Sequence, residues 1–177
     1  MRKIWIVICL ILSFLIIYLM QSIFFSWFNI SGVKPNLFVI LVLVIGLFMG
    51  KNAGIIFGIL FGISLDFFVG KSVGVSGVML GIIGFVGGYL DKSFSKDSRI
   101  TMITMIVITT FLYEIGIITF NYFINEAQIK TLYVIKTLLI ELIYNSIIAI
   151  IIYPLIMKLG YRIEESFKEN RILTRYF

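Results

Sequence analysis

The chain has 177 residues, of which 60% are hydrophobic and only 14% charged, with a net charge of +6, no histidine and one cysteine; its mean hydropathy is +1.10. Ordinary soluble domains carry about 25% charged residues, so this composition marks an integral membrane protein. It excludes the usual zinc, haem and Cys/His catalytic constellations and any disulfide within the chain, and because its basic residues are scattered between apolar runs it excludes a nucleic-acid surface as well.

In chain order, Arg2 and Lys3 precede an apolar run that continues to about Phe28. That is longer than the apolar region of a secretory signal and no small-residue cleavage site follows, so the segment reads as a retained membrane helix. Further apolar blocks are expected at 36–50, 53–69, 73–90, 100–124 and 132–157, after a first at 4–28. None alternates in polarity, so helices are meant and not barrel strands. Lys51 and Asn52 alone separate the second block from the third, which predicts a tight hairpin or a re-entrant pair there.

The basic residues orient these blocks. With both termini cytoplasmic, Arg2, Lys3, Lys51, Lys92, Lys96, Arg99, Lys158, Arg162, Lys168, Arg171 and Arg175 lie inside, and of the 15 Lys and Arg only Lys34, Lys71, Lys130 and Lys136 lie outside. The expected fold is an all-α integral membrane protein, a compact bundle of six transmembrane helices with both termini cytoplasmic. Residues 1–160 form the transmembrane domain, and 161–177 a basic tail that is either an interfacial helix or a solvated terminus.

Glycines recur at intervals of four: Gly46, Gly50, Gly54, Gly58 and Gly62, then Asp66 in the place of the next, then Gly70 and Gly74. Gly77, Gly81, Gly84, Gly87 and Gly88 continue into the fourth block. A glycine in a helix interior costs roughly 1 kcal/mol relative to alanine. In lipid, small residues at this spacing let helix backbones approach until dispersion contacts become strong. The stripe predicts tight packing among spans two, three and four, or a dock for a partner's helix. Asp66 falls near the outer end of span three, where it can pair with Lys71, reach water, or accept amide hydrogens from the turn Gly70–Gly77.

Glu114 and Glu141 lie deeper, at nearly equal depth if spans five and six form a hairpin, and two carboxylates held close would not both ionise. Helical spacing puts Thr110, Glu114, Asn121 and Asn125 on one face of span five, and Thr137, Glu141, Tyr144 and Asn145 on one face of span six. Such faces turn inward or toward a partner, forming interhelical hydrogen bonds, a ligand cavity or a partner groove.

The order KPNL from Lys34 to Leu37, then GIIFGILFGISLDFFVGKSVGVSG from Gly54, then a glycine-rich span ending GFVGGYLDK resembles the rod shape-determining MreD family of the bacterial inner membrane. Over residues 30–90 the resemblance rests on Pro35, Asn36, Leu37, Gly58, Gly62, Asp66, Gly70 and Gly74; Asn36 stands where the family often has aspartate. It implies a non-enzymatic role in lateral-wall elongation, beside MreB, RodA and a class B penicillin-binding protein, with MreC as direct partner. On that reading the glycine-rich bundle, Gly54 included, offers a groove for the single membrane helix of MreC. Two other classes compete. The substrate-binding subunit of an energy-coupling-factor vitamin transporter would place its pocket between the Glu114 and Glu141 faces. An intramembrane hydrolase would need those glutamates as a dyad, but they sit in no catalytic motif.

Overall fold

In the computed structural model, residues 2–69, 74–90, 98–124 and 131–172 are described. Gly70, Lys71, Lys92, Lys96, Asn125, Lys130 and Arg175, which carry some of the expectations above, lie outside them. The described residues are helical: α1 (Arg2–Leu19), α2 (Leu37–Met49), α3 (Lys51–Val69), α4 (Val75–Leu90), α5 (Arg99–Ile124) and α6 (Thr131–Ile172). α1 runs on through a wider π-helical turn, Met20–Phe24, and a last turn, Phe25–Trp27. Then Ser31 and Gly32, both at positive φ, reverse the chain between Ile30 and Val33, whose backbones exchange two hydrogen bonds of 3.0 Å.

Among the described residues, four stretches are long and apolar enough to cross a membrane: Ile4–Trp27, Lys51–Val69, Arg99–Phe123 and Val134–Glu165. α2 and α4 have 13 and 16 residues, which at about 1.5 Å per residue makes them roughly 20 and 24 Å long. α2 is apolar all round because it is the central helix. Leu37 through Ile40, Val42, Leu43 and Ile45 through Phe48 are all buried, packed by neighbours on every side as such a sequence requires. α1 lies on its flank through Ile6, Leu10 and Phe14, with the Phe14 ring 4.9 Å from Phe61 and 5.3 Å from Phe38.

The junction of α2 and α3 is tighter than the sequence suggests. Lys51 and Asn52 already belong to α3, and the reversal falls on Gly50 alone, at φ +91°. A side chain is strained in that region, so the hairpin needs glycine there. Gly50 N–H closes α2 on the Gly46 carbonyl at 2.9 Å, and its own carbonyl accepts Gly54 N–H at 3.0 Å.

Between α3 and α4 the backbones touch. A Cβ on Gly54 would meet the Gly84 backbone, one on Gly58 the Leu80–Gly81 peptide, and one on Gly62 the Ser76–Gly77 peptide. Each step of four along α3 is matched by a step of four back along α4, so the stripe is a single antiparallel register. Gly46 joins it from α2, facing Gly84 and Gly88. At Gly54, Gly58 and Gly62 the space beside the stripe is filled by α4, because glycines on both helices bring the two backbones into contact.

At the C-terminal end α6 continues as one helix to Ile172, with Pro154 inside it. Gly160 lies against the Phe48 ring, the Tyr161 ring stands edge-on to Phe48 at 5.5 Å, and Glu164 is buried. At about 1.5 Å per residue, 42 residues measure roughly 63 Å. That exceeds a bilayer of about 40–45 Å including head groups, so part of α6 projects beyond it.

Candidate functional site

Beyond Gly62 the glycine register runs out, because α4 begins only at Val75. What faces the next position on the stripe is the start of a helix, whose first amides have no partner within the helix. Asp66 fills that position. Its Oδ2 accepts Gly74 N–H at 2.9 Å and Ser76 N–H at 3.1 Å, so α3 caps α4 through one carboxylate oxygen. Asp66 is 1% exposed, and its Oδ1 is buried with no hydrogen-bond partner.

α2 is capped from a distance in the same way. Asn36 N–H donates to Asn145 Oδ1 at 2.8 Å, and Leu37 N–H to Gln21 Oε1 at 3.2 Å. Pro35, just before, has no amide hydrogen to satisfy. Asn145, fully buried on α6, also donates through Nδ2 to Thr110 Oγ1 on α5 at 2.9 Å. One side chain thus ties α2, α5 and α6 together. Gln21 reaches Leu37 from the π-helical turn, where an extra residue in the turn redirects its side chain.

Above this network lies a partly open cavity of about 690 Å³. It is walled by the C-terminal parts of α1 (Tyr18, Gln21), α3 (Leu65, Asp66) and α5 (Tyr113, Glu114, Ile117, Asn121), and by the N-terminal parts of α2 (Asn36, Phe38), α4 (Val75, Ser76) and α6 (Glu141). The helices therefore alternate in direction, and these ends lie together. Tyr113 donates to Ser76 Oγ at 3.4 Å within the wall, and Lys34 at the mouth donates to Ser26 Oγ at 2.6 Å.

Of the residues singled out from sequence, Asn36, Asp66, Glu114, Asn121 and Glu141 share this cavity, Pro35 borders it, and Asn145 lies in the network beneath. Leu37 is buried in the core. Gly54, Gly58 and Gly62 do not line the cavity but lie in the α3–α4 contact, and Gly74 serves as an amide donor. Thr137 is turned inward with its hydroxyl buried and without a partner, and Tyr144 donates to the Phe28 carbonyl. Sequence reasoning missed Gln21, Ser76 and Tyr113. Gln21, a polar residue near the end of an otherwise apolar run, was a readable signal; the other two had none.

The sequence model of a family described as rod shape-determining protein MreD matches residues 1–163. The chain belongs to the MreD family. No curated protein and no solved structure matches it. Membership assigns the chain a part in rod shape determination and places it in the bacterial cell membrane, in keeping with its four membrane-length helices. The MreD match extends well past the Pro-Asn-Leu and glycine-aspartate elements, through α5 and most of α6.

Proposed function

We propose that the chain is a non-enzymatic membrane scaffold of the cell-elongation complex, binding MreC directly and, in the wider assembly, RodA, a class B penicillin-binding protein and MreB. The observation that carries this reading is the family match over residues 1–163. The fold supports it: a backbone-to-backbone core of α2, α3 and α4 is a rigid mount. On this reading all six helices cross the membrane with both termini cytoplasmic, an arrangement that the alternating helix directions and the distribution of Lys and Arg support. Reporter fusions after Trp27 and after Leu90 should accordingly read outside and inside; the reverse pair, or both on one side, would sink the topology.

With the α3 stripe filled, a partner helix has to meet an outward face. α1 is the least embedded of the long spans, with 11% of its apolar window buried. Trp5, Ile8, Leu12, Leu15 and Leu19 are exposed along it, at the alternating steps of three and four that suit a helix–helix seam. The membrane helix of MreC lies on this seam. Once the exposed Cys9 is replaced by serine, cysteines at Leu12 or Leu15 should crosslink to the MreC helix while one at Ile147 on α6 does not. Crosslinks from Ile147 alone would move the contact, and failure of MreC to co-purify with the parent protein would defeat the scaffold reading.

The cavity favours a second reading, a vitamin-binding transporter subunit whose pocket includes Glu114 and Glu141. Submicromolar binding of a vitamin by the purified chain would rank it first.

A further inference from the structure

α4 is too short for the membrane that α1 fits. Its 16 residues measure about 24 Å, against a hydrocarbon core of about 30 Å. In sequence Lys71 and Ser72 stand just before Val73 and Gly74, and Asp91 and Lys92 follow Leu90, so only Val73 is left to add apolar length. α1 and its continuation run 24 residues from Ile4 to Trp27. Trp5 and Trp27, both exposed, stand roughly 33 Å apart along it. Tryptophan settles at the membrane interface, so α1 matches a bilayer of ordinary thickness.

Packing decides at which end α4 falls short. Opposite the cavity the helix ends are level: Gly88 lies against the Lys51 backbone, and Gly160 against the Phe48 ring. Lys51 is exposed, and a lysine at a helix end reaches for the head groups, which pins that end of the bundle at the membrane surface. α4 therefore stops roughly 6 Å short at the cavity end. Sliding it along α3 would break the glycine register, and tilting it shortens its projection on the membrane normal. Beyond the first turn of α4 the bundle is a partly open cavity with polar groups in its wall, and hydrocarbon cannot satisfy such groups.

We propose that the chain thins the bilayer along α4, drawing in the leaflet at the cavity end, while α1 holds a bilayer of ordinary thickness. The two helices lie on different flanks of central α2. α1 packs on α3 through Phe14 and Phe61, and on α6 through Phe25 and Tyr144; α4 lies between α3 and α5, with Met79 against Gly116. The outward face of α4 is Val78, Ile82, Phe85 and Tyr89, all exposed, and measures about 17 Å along the helix. A face of that length takes lipid with short chains as its neighbour, and membrane helices of similarly short span are sorted to it by the same mismatch. The inference rests on α4 crossing the membrane, as proposed above, and not on the identity of any protein partner.

The test uses the purified full chain in vesicles of phosphatidylcholine whose monounsaturated chains have fourteen, eighteen or twenty-two carbons, each mixed with a brominated lipid that quenches tryptophan on contact. Two reporters are built on the protein carrying Trp5→Phe and Trp27→Phe: Phe85→Trp on α4 and Leu12→Trp on α1, both at exposed positions. Competition with the brominated lipid gives the relative affinity of each chain length at each face. At Phe85→Trp the fourteen-carbon lipid should bind about threefold more tightly than the twenty-two-carbon lipid. At Leu12→Trp the eighteen-carbon lipid should bind at least as tightly as the fourteen-carbon one. Val78→Trp, also exposed, serves if Phe85→Trp does not fold. The same chain-length preference at both faces, or a preference for long chains on α4, would overturn the proposal. So would an α4 tryptophan that no brominated lipid quenches, since protein would then cover the face. The reporter fusions after Trp27 and Leu90 test the crossing itself, so a crossing α4 without the short-chain preference defeats this inference alone.

Discussion

Gly58→Ala is expected to remove most of the folded protein, although it adds a single methyl group. That methyl would lie 2.7 Å from the Leu80 carbonyl carbon, 2.9 Å from Gly81 N, and closer still to the Leu80 oxygen. Overpacking a core where side chains can move costs about 1–3 kcal/mol, but here the obstruction is peptide backbone. α3 and α4 would have to part, and Gly54 and Gly62 lock the same pair one turn to either side, so relief at Gly58 breaks close contact along the whole stripe. Gly116→Ala supplies the contrast, because there the three atoms nearest the added methyl all belong to the flexible side chain of Met79. Its loss should stay within about 1 kcal/mol. Gel filtration in detergent should show a sharp peak for Gly116→Ala and little or none for Gly58→Ala. A parent-like peak and melting temperature for Gly58→Ala would mean that the two backbones do not touch.

The same contact shows why part of the fold can be read from sequence. Glycines four apart in an apolar run have few uses in lipid other than close approach, so the participation of α3 and α4 was legible. Their mutual register was not: it emerges only when Gly54 is seen against Gly84 and Gly62 against Gly77. The polar faces of α5 and α6 were equally plain from spacing. That Asn145 would reach across to Asn36 N–H depends on α2 being central, and a uniformly apolar helix does not announce its neighbours. How far α6 runs was not legible, although charge begins at Lys158. Charge marks where apolar surface stops, whereas the helix continues as long as Tyr161 and Glu164 find the bundle to pack on. The cavity was the least legible feature, since it is a space between parts of six helices that are distant in the chain.

Asp66 is where register and cavity meet, and Asp66→Ala is expected to have the second-largest effect. The substitution strips the acceptor from two amides at the start of α4, that of Ser76 buried and that of Gly74 half-buried. An unsatisfied buried donor costs about 1–3 kcal/mol, so the pair should lower stability by roughly 2–4 kcal/mol. Asp66→Asn, which retains an acceptor oxygen, should lose only about 1 kcal/mol, the difference between a charged and a neutral hydrogen bond. Asparagine keeps the volume of the aspartate, whereas alanine leaves a small void in a fully buried site, which adds to the loss in Asp66→Ala. Thermal melts in detergent should therefore rank parent, then asparagine closely, then alanine well below, and rod-shape complementation should fail first for alanine. If alanine and asparagine melt together near the parent, the amides of α4 find their acceptors elsewhere and the aspartate is present for the cavity alone.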